Sequence, residues 1–202
     1  IEDELAPYKE RLSFEELLAH YMSLRKLKKL AEVTSASNLS KGQKGVENFI
    51  DSLEFTLTSA QVRVIREITD DLSKSQPMMR MLQGDVGSGK TIVAAIACLK
   101  AILNKKQAAL MAPTELLATQ HYESLSKLFK NHDVKISILT GSIKRIIREE
   151  IEQSILAGEI NLIIGTHALF QEGVTFNNLE LIVIDELHRF GVKQRVALRE
   201  KG

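Results

Sequence analysis

The octapeptide Gly84-Asp85-Val86-Gly87-Ser88-Gly89-Lys90-Thr91 constrains this chain more than any other feature. It follows the apolar run 79–82 directly and leads directly into a helical pattern that continues from Ile92 to Leu103. The G-x-x-x-x-G-K-[ST] spacing needs its glycines so that backbone N–H groups can wrap an anion, and it delivers that anion to the positive end of a helix. Lys90 is placed to reach the β- and γ-phosphates of ATP, and Thr91 to offer its hydroxyl to Mg²⁺. A glycine-rich turn that merely joined a strand to a helix would need neither the lysine nor the threonine.

Such a loop requires a strand behind it and a helix in front, and the rest of the chain repeats that alternation. Short apolar runs at 79–82, 108–111, 136–139, 162–164 and 181–184 predict strands. Helical patterns begin near Thr58, Lys90, Thr114 and Ser142; the last carries Ile143, Ile146, Ile147, Ile151 and Ile155 on one stripe, with Gly158 as a stop. Strand and helix in alternation imply an α/β fold, a mainly parallel sheet covered by helices on both faces.

Upstream, Ser13-Phe14-Glu15-Glu16 has capping-box spacing, and Phe14, Leu17, Leu18, Tyr21, Leu24 and Leu27 recur at helical intervals. The helix runs into Arg25, Lys26, Lys28 and Lys29, read as a solvated face. Residues 34–45 are rich in Ser, Gly, Lys and Asn and read as a linker. The expected division is a helical linker segment over 1–54 and a nucleotide-binding domain over 55–202. Ile at position 1 and the plain end at Gly202 suggest a piece of a longer protein.

A second chemical feature closes the last apolar run: Leu181-Ile182-Val183-Ile184 ends in Asp185-Glu186. Ligands of open parallel sheets sit at the carboxyl ends of the strands. Two carboxylates there are costly without a cation, so Asp185 is read as a Mg²⁺ ligand and Glu186 as the base that orients the attacking water. Alone, an Asp-Glu pair would more simply cap the following segment; the phosphate loop favours the catalytic reading.

Charge and composition remove other classes. With 27 Lys and Arg against 26 Asp and Glu there is no global nucleic-acid signature, so any DNA contact is local. The single Cys98 excludes an internal disulfide and suits a cytoplasmic protein. His20, His121, His132, His167 and His188 have no metal-ligand spacing, which argues against zinc. No run approaches the roughly 20 apolar residues of a membrane span.

Asp185-Glu186-Leu187-His188-Arg189-Phe190-Gly191-Val192 resembles motif II of the RecG family of superfamily 2 DNA helicases, and of transcription-repair coupling factors. The octapeptide is similar to the first RecG motif; coupling factors usually carry an aromatic where Ser88 stands. Met111-Ala112-Pro113-Thr114-Glu115-Leu116-Leu117-Ala118 with Gln120-His121 resembles motif Ia, and Gly165-Thr166-His167-Ala168-Leu169 the T-H motif. Phe55 with Leu57-Thr58-Ser59-Ala60-Gln61 looks like the upstream adenine-reading element. Residues before 55 resemble the segment joining the family's DNA-binding wedge to its motor.

The resemblance implies a RecA-like P-loop NTPase domain, the first half of an ATP-driven motor that remodels stalled forks and Holliday junctions in recombination and repair. It implies branched double-stranded DNA as partner, a second RecA-like domain in the same full-length chain, and a place at the bacterial nucleoid. The second domain would supply arginines, commonly worth 10³–10⁵ in rate, so the fragment alone is expected to hydrolyse ATP very poorly. Thr114, Gly141 and Thr166 become DNA-side candidates, His188 and Arg189 candidates for coupling. Leu187 departs from the family's usual Gln.

Two residues keep local alternatives. Thr58-x-x-Gln61 is itself a capping box, so Gln61 holds the helix start, contacts adenine, or divides its amide between them. Thr114 reads first as an N-cap, a role compatible with a backbone phosphate. The rival functions are a coupling-factor-type translocase and a nucleotide-binding switch that does not turn over.

Overall fold

Where a short apolar run is bounded by polar turns, strands form: β1 (Gln107–Met111), β2 (Ile136–Leu139), β3 (Leu162–Gly165) and β4 (Leu179–Ile184). This is a computed structural model that describes residues 35–85, 87–170 and 173–186, together with Arg11, Phe14, Glu15, Leu18, Tyr21 and Met22. The strands pair in parallel in the order β2-β3-β1-β4. Parallel neighbours need crossovers, and helices supply them.

The helices are α1 (Gln43–Asp51), α2 (Ser59–Leu72), α3 (Lys90–Leu103), α4 (Glu115–Leu128) and α5 (Arg145–Leu156). Side chains alternate across each strand, and this divides the interior in two. Ala108, Leu110, Leu162, Ile164 and Leu181 face a core built with α1 to α4, whereas Ala109, Ile163 and Leu139 face a smaller one with Ile155 of α5, Leu169 and Val174. Helix α3 is the buried centre of the larger core, with Ile92, Val93, Ala95, Ile96, Cys98 and Leu99 all inside. Burial pushes the Cys98 thiol up to about 12, so it is an inert packing residue.

The expected α/β architecture is present, with three differences. The run 79–82 forms no strand: Met79 and Met81 are exposed, and Arg80 is drawn onto α2 by Glu67 at 2.6 Å and Asp71 at 2.5 Å. An apolar run makes a strand only where a neighbouring edge pairs with it, and no described strand does so here. The isoleucine stripe behind Ser142 is also split. The helix starts three residues late, at Arg145; Ile143, Ile151 and Ile155 pack inward, while Ile146 and Ile147 are exposed.

The third difference lies before Phe55, where packing runs straight through the expected boundary. Leu39, Val46 and Phe49 are buried in the main core, and the Phe49 ring stacks on Phe129 at 5.1 Å. Backbone bonds from Ala36 to Ser75 and from Leu39 to Leu72 fix the lead-in. Polar composition thus hid three buried side chains. Of the upstream amphipathic helix, the six described residues are helical, with Arg11 bonded to Glu15 at 3.0 Å; the rest of that expectation lies outside the described residues.

Gly158 ends α5 as the sequence suggests, in the left-handed region at φ 75°, its N–H donating to the Ile155 carbonyl at 3.0 Å. A Cβ there would crowd the Asn177 amide at 2.6 Å. Gly158→Ala is therefore expected to cost about 1–2 kcal/mol. Thermal unfolding should show Tm lower by about 2–8 °C; an unchanged Tm would contradict the strain.

Candidate functional site

The phosphate loop leads into α3 through Gly89, which sits at φ 78° as the residue before the first helical turn. Gly87, at φ 81°, makes the preceding bend. A side chain at Gly84 would collide with the Ser88 hydroxyl at 2.6 Å, so that glycine serves close approach rather than unusual backbone geometry. Lys90 folds back over the loop, its Nζ donating to the carbonyl oxygens of Gly84 at 2.7 Å and Asp85 at 2.9 Å. The ammonium thus already takes oxygen acceptors inside the cradle, which is how it would meet phosphate oxygens. Thr91 follows in the first turn of α3. Val86 lies outside the described residues.

Gln61 makes the capping box that its spacing allows. Its Oε1 accepts from the Thr58 N–H at 2.9 Å and its own N–H donates to Thr58 Oγ1 at 3.2 Å, a complete capping box at the start of α2. The remaining amide hydrogens reach the phosphate loop, with Nε2 donating to the Ser88 carbonyl at 3.0 Å. Both ends of the amide are engaged, so one side chain ties the start of α2 to the loop. Phe55 is half-exposed and, with Ile50, Leu53, Thr56 and Leu57, lines an open cavity of about 320 Å³.

At the carboxyl edge of the sheet, β4 ends in Asp185, whose N–H donates to the Met111 carbonyl at 2.9 Å and so continues the pairing with β1. Glu186 turns the chain with φ 53°, a left-handed conformation uncommon for a non-glycine residue. Asp185 Oδ2 meets His121 Nε2 of α4 at 2.8 Å. Among the described residues no three His, Cys, Asp or Glu gather as a metal site. The Asp185 carboxylate is a hard oxygen donor of the kind Mg²⁺ takes one or two of, phosphate oxygens and water filling the rest of its shell.

The DNA-side candidates divide. Thr114 caps α4, its Oγ1 accepting from the Leu117 N–H at 3.3 Å. Gly141 follows β2, beside the Glu115 carboxylate that accepts from the Ser142 N–H at 3.0 Å. Thr166 is only 3% exposed and its hydroxyl is buried without a hydrogen-bond partner, so that side chain is not presented at the surface. Leu187, His188 and Arg189 lie outside the described residues. Glu115 and the His121 contact were not singled out by sequence reading. The one signal for them was their place in the Thr114 to His121 string, because their partners are 27 and 64 residues away.

A model of the DEAD/DEAH box helicases matches residues 58–201. The chain belongs to this family. Within the DEAD/DEAH box helicases it is similar to the ATP-dependent DNA helicase RecG of Escherichia coli (strain K12), at 48% identity over 196 residues covering 97% of this chain and 28% of the relative. The RecG proteins of Bacillus subtilis (strain 168) and Streptococcus pneumoniae serotype 4 are 49% and 50% identical, covering 95% and 98% of this chain and 28% and 30% of theirs. The chain thus spans under a third of the length of these relatives.

Among solved structures, RecG bound to a three-way DNA junction superposes with a TM-score of 0.81 at 42% identity, over 90% of this chain and 25% of that one. The helicase MrfA, at 19% identity and a TM-score of 0.59, shares the fold. No helix among the described residues is long and apolar enough to cross a membrane.

Proposed function

We propose that this chain is the ATP-binding half of a RecG-type motor that translocates on duplex DNA and remodels forks and four-way junctions. The observation that carries the reading is the placement of Lys90 in a glycine cradle, and of Asp185 and Glu186 at the carboxyl edge of a parallel sheet. Its likeness to a RecG solved on branched DNA supports the choice of substrate.

In this reading Lys90 binds the β- and γ-phosphates, with the N–H groups of 84–91 around them. Phe55 and Gln61 take the adenine, which requires Gln61 to share or exchange the amide now bonded to Thr58 and Ser88. The Thr91 hydroxyl and the Asp185 carboxylate hold Mg²⁺, which when bound neutralises charge on the transferring phosphoryl group. Glu186 accepts a proton from the attacking water at a carboxylate oxygen. Thr114 and Gly141 offer groups to the DNA backbone, and His188 with Arg189 takes the coupling role.

The test is ATP turnover by the full-length protein without DNA and with linear duplex, forked DNA or a four-way junction. Forks and junctions should stimulate turnover well beyond linear duplex, and binding should weaken steeply with salt while ignoring sequence. A rate indifferent to every DNA would sink the translocase reading and favour a nucleotide switch.

A further inference from the structure

Asp185 is held at two points, and both belong to the same stretch of chain. Its backbone N–H is fixed by the carbonyl of Met111, the last residue of β1, and its Oδ2 by the imidazole of His121, in the helix that follows β1. An ionised carboxylate only accepts, so His121 Nε2 donates in this contact. Both side chains are well covered, at 17% and 31% exposure, so the bond is partly shielded from water. No use of His121 in nucleotide binding is needed to explain its position.

The start of α4 reaches the opposite edge of the sheet. Glu115, six residues before His121, accepts from the Ser142 N–H in the turn after β2. Six residues advance a helix by about 9 Å and turn it by roughly 240°, so the two contacts leave α4 on different sides. The sheet order is β2-β3-β1-β4, and one helix therefore ties together the loops that leave its two outer strands. Thr114 fixes the start of that helix.

We infer that His121 is a positioning residue for Asp185, and that α4 is the strut through which the 140–142 turn sets the orientation of that carboxylate. The inference rests on the proposed reading of Asp185 as a cation ligand. A partner that orients a metal-binding carboxylate typically contributes 10–100-fold to metal affinity. The consequence is specific: loss of the imidazole weakens the cation site and leaves the metal-free nucleotide site alone.

The experiment uses the full-length protein with a non-hydrolysable ATP analogue, and reads Mn²⁺ binding by electron paramagnetic resonance. His121→Ala is expected to weaken Mn²⁺ about 10–100-fold. His121→Asn, too short to reach Asp185, carries the same expectation and serves if the alanine variant fails to fold. His121→Gln, whose Nε2 has similar reach, should recover most of the affinity. Binding of a fluorescent ADP in EDTA should be unchanged in all three. Glu115→Ala should weaken Mn²⁺ in the same direction but less, because it frees the far end of the strut.

Wild-type Mn²⁺ affinity in both His121→Ala and His121→Asn overturns the inference while leaving the nucleotide reading intact. Equal loss in His121→Gln, or parallel loss of metal-free nucleotide binding, overturns it in favour of a packing role. Failure of the wild-type protein to bind Mn²⁺ with the analogue overturns the proposed function, and this inference with it.

Discussion

Lys90→Ala in the full-length protein is expected to lower ATP turnover by at least about 10²–10³-fold, the scale seen when one preorganised donor is removed from developing negative charge. The structure explains why the loss should be chemical and not structural. Lys90 opens α3, where alanine is at least as good a helix former, and the buried residues that anchor the helix start at Ile92. What disappears is an ammonium held at 2.7–2.9 Å from two carbonyl oxygens of the loop. Steady-state turnover on forked DNA measures the effect, and Tm should move by only a few degrees. A variant within threefold of wild type would show that the loop is not the phosphate site.

Gln107→Leu should produce a large stability loss. Gln107 opens β1, is 4% exposed, and uses its whole amide: Nε2 donates to the Ile155 carbonyl at 2.9 Å and the Ile160 carbonyl at 2.8 Å, while Oε1 accepts from the N–H groups of Asn177 and Asn178 at 2.9 and 3.1 Å. Leucine fills a similar volume but strands the Ile160 carbonyl and two N–H groups, while the Ile155 carbonyl keeps the Gly158 N–H. At about 1–3 kcal/mol for each group left buried and unpaired, and with Asn177 open enough to recruit water, the net cost is about 3–5 kcal/mol. That corresponds to a Tm lower by roughly 6–20 °C for a domain of this size. Gln107→Glu should fail similarly, since a carboxylate would face two carbonyl oxygens. A loss under about 1 kcal/mol by denaturant titration would mean that water replaces the amide.

Local spacing made part of this molecule legible. Thr58-x-x-Gln61, the helix start at Gly89-Lys90 and the Thr114 start each specify geometry within a few residues, and each forms as the spacing implies, although the strand expected before the phosphate loop does not. Strands 136–139 and 181–184 were readable because parallel strands are short and rich in isoleucine, valine and leucine, even where, as in both of these, most residues are only partly buried. The run 79–82 looks the same in sequence and forms no strand, because pairing depends on which edge is offered and on the pull of Glu67 and Asp71 on Arg80. The isoleucines behind Ser142 followed a helical period, but a period cannot say how far along a helix its cover extends, and Ile146 lies beyond it.

The candidate site divides in the same way. Lys90, Asp185 and Glu186 are legible since motif and chemistry coincide. The partners that orient them are not: His121 meets Asp185 across 64 residues, and Gln61 meets Ser88 across 27, distances over which no spacing rule operates. Histidine spacing argued against zinc but left His121 without a role until the fold brought it beside β4.

Strand β1 separates two kinds of demand along its own length. Gln107 at its start anchors the turns around 160 and 177–178, whereas Met111 at its end fixes Asp185 and leads to Thr114. Four residue steps along the strand put roughly 13 Å between those ends. If the proposed ATP-driven cycle runs from the carboxyl rim, the amino edge of the sheet is the face on which stabilising substitutions can be made with least effect on it.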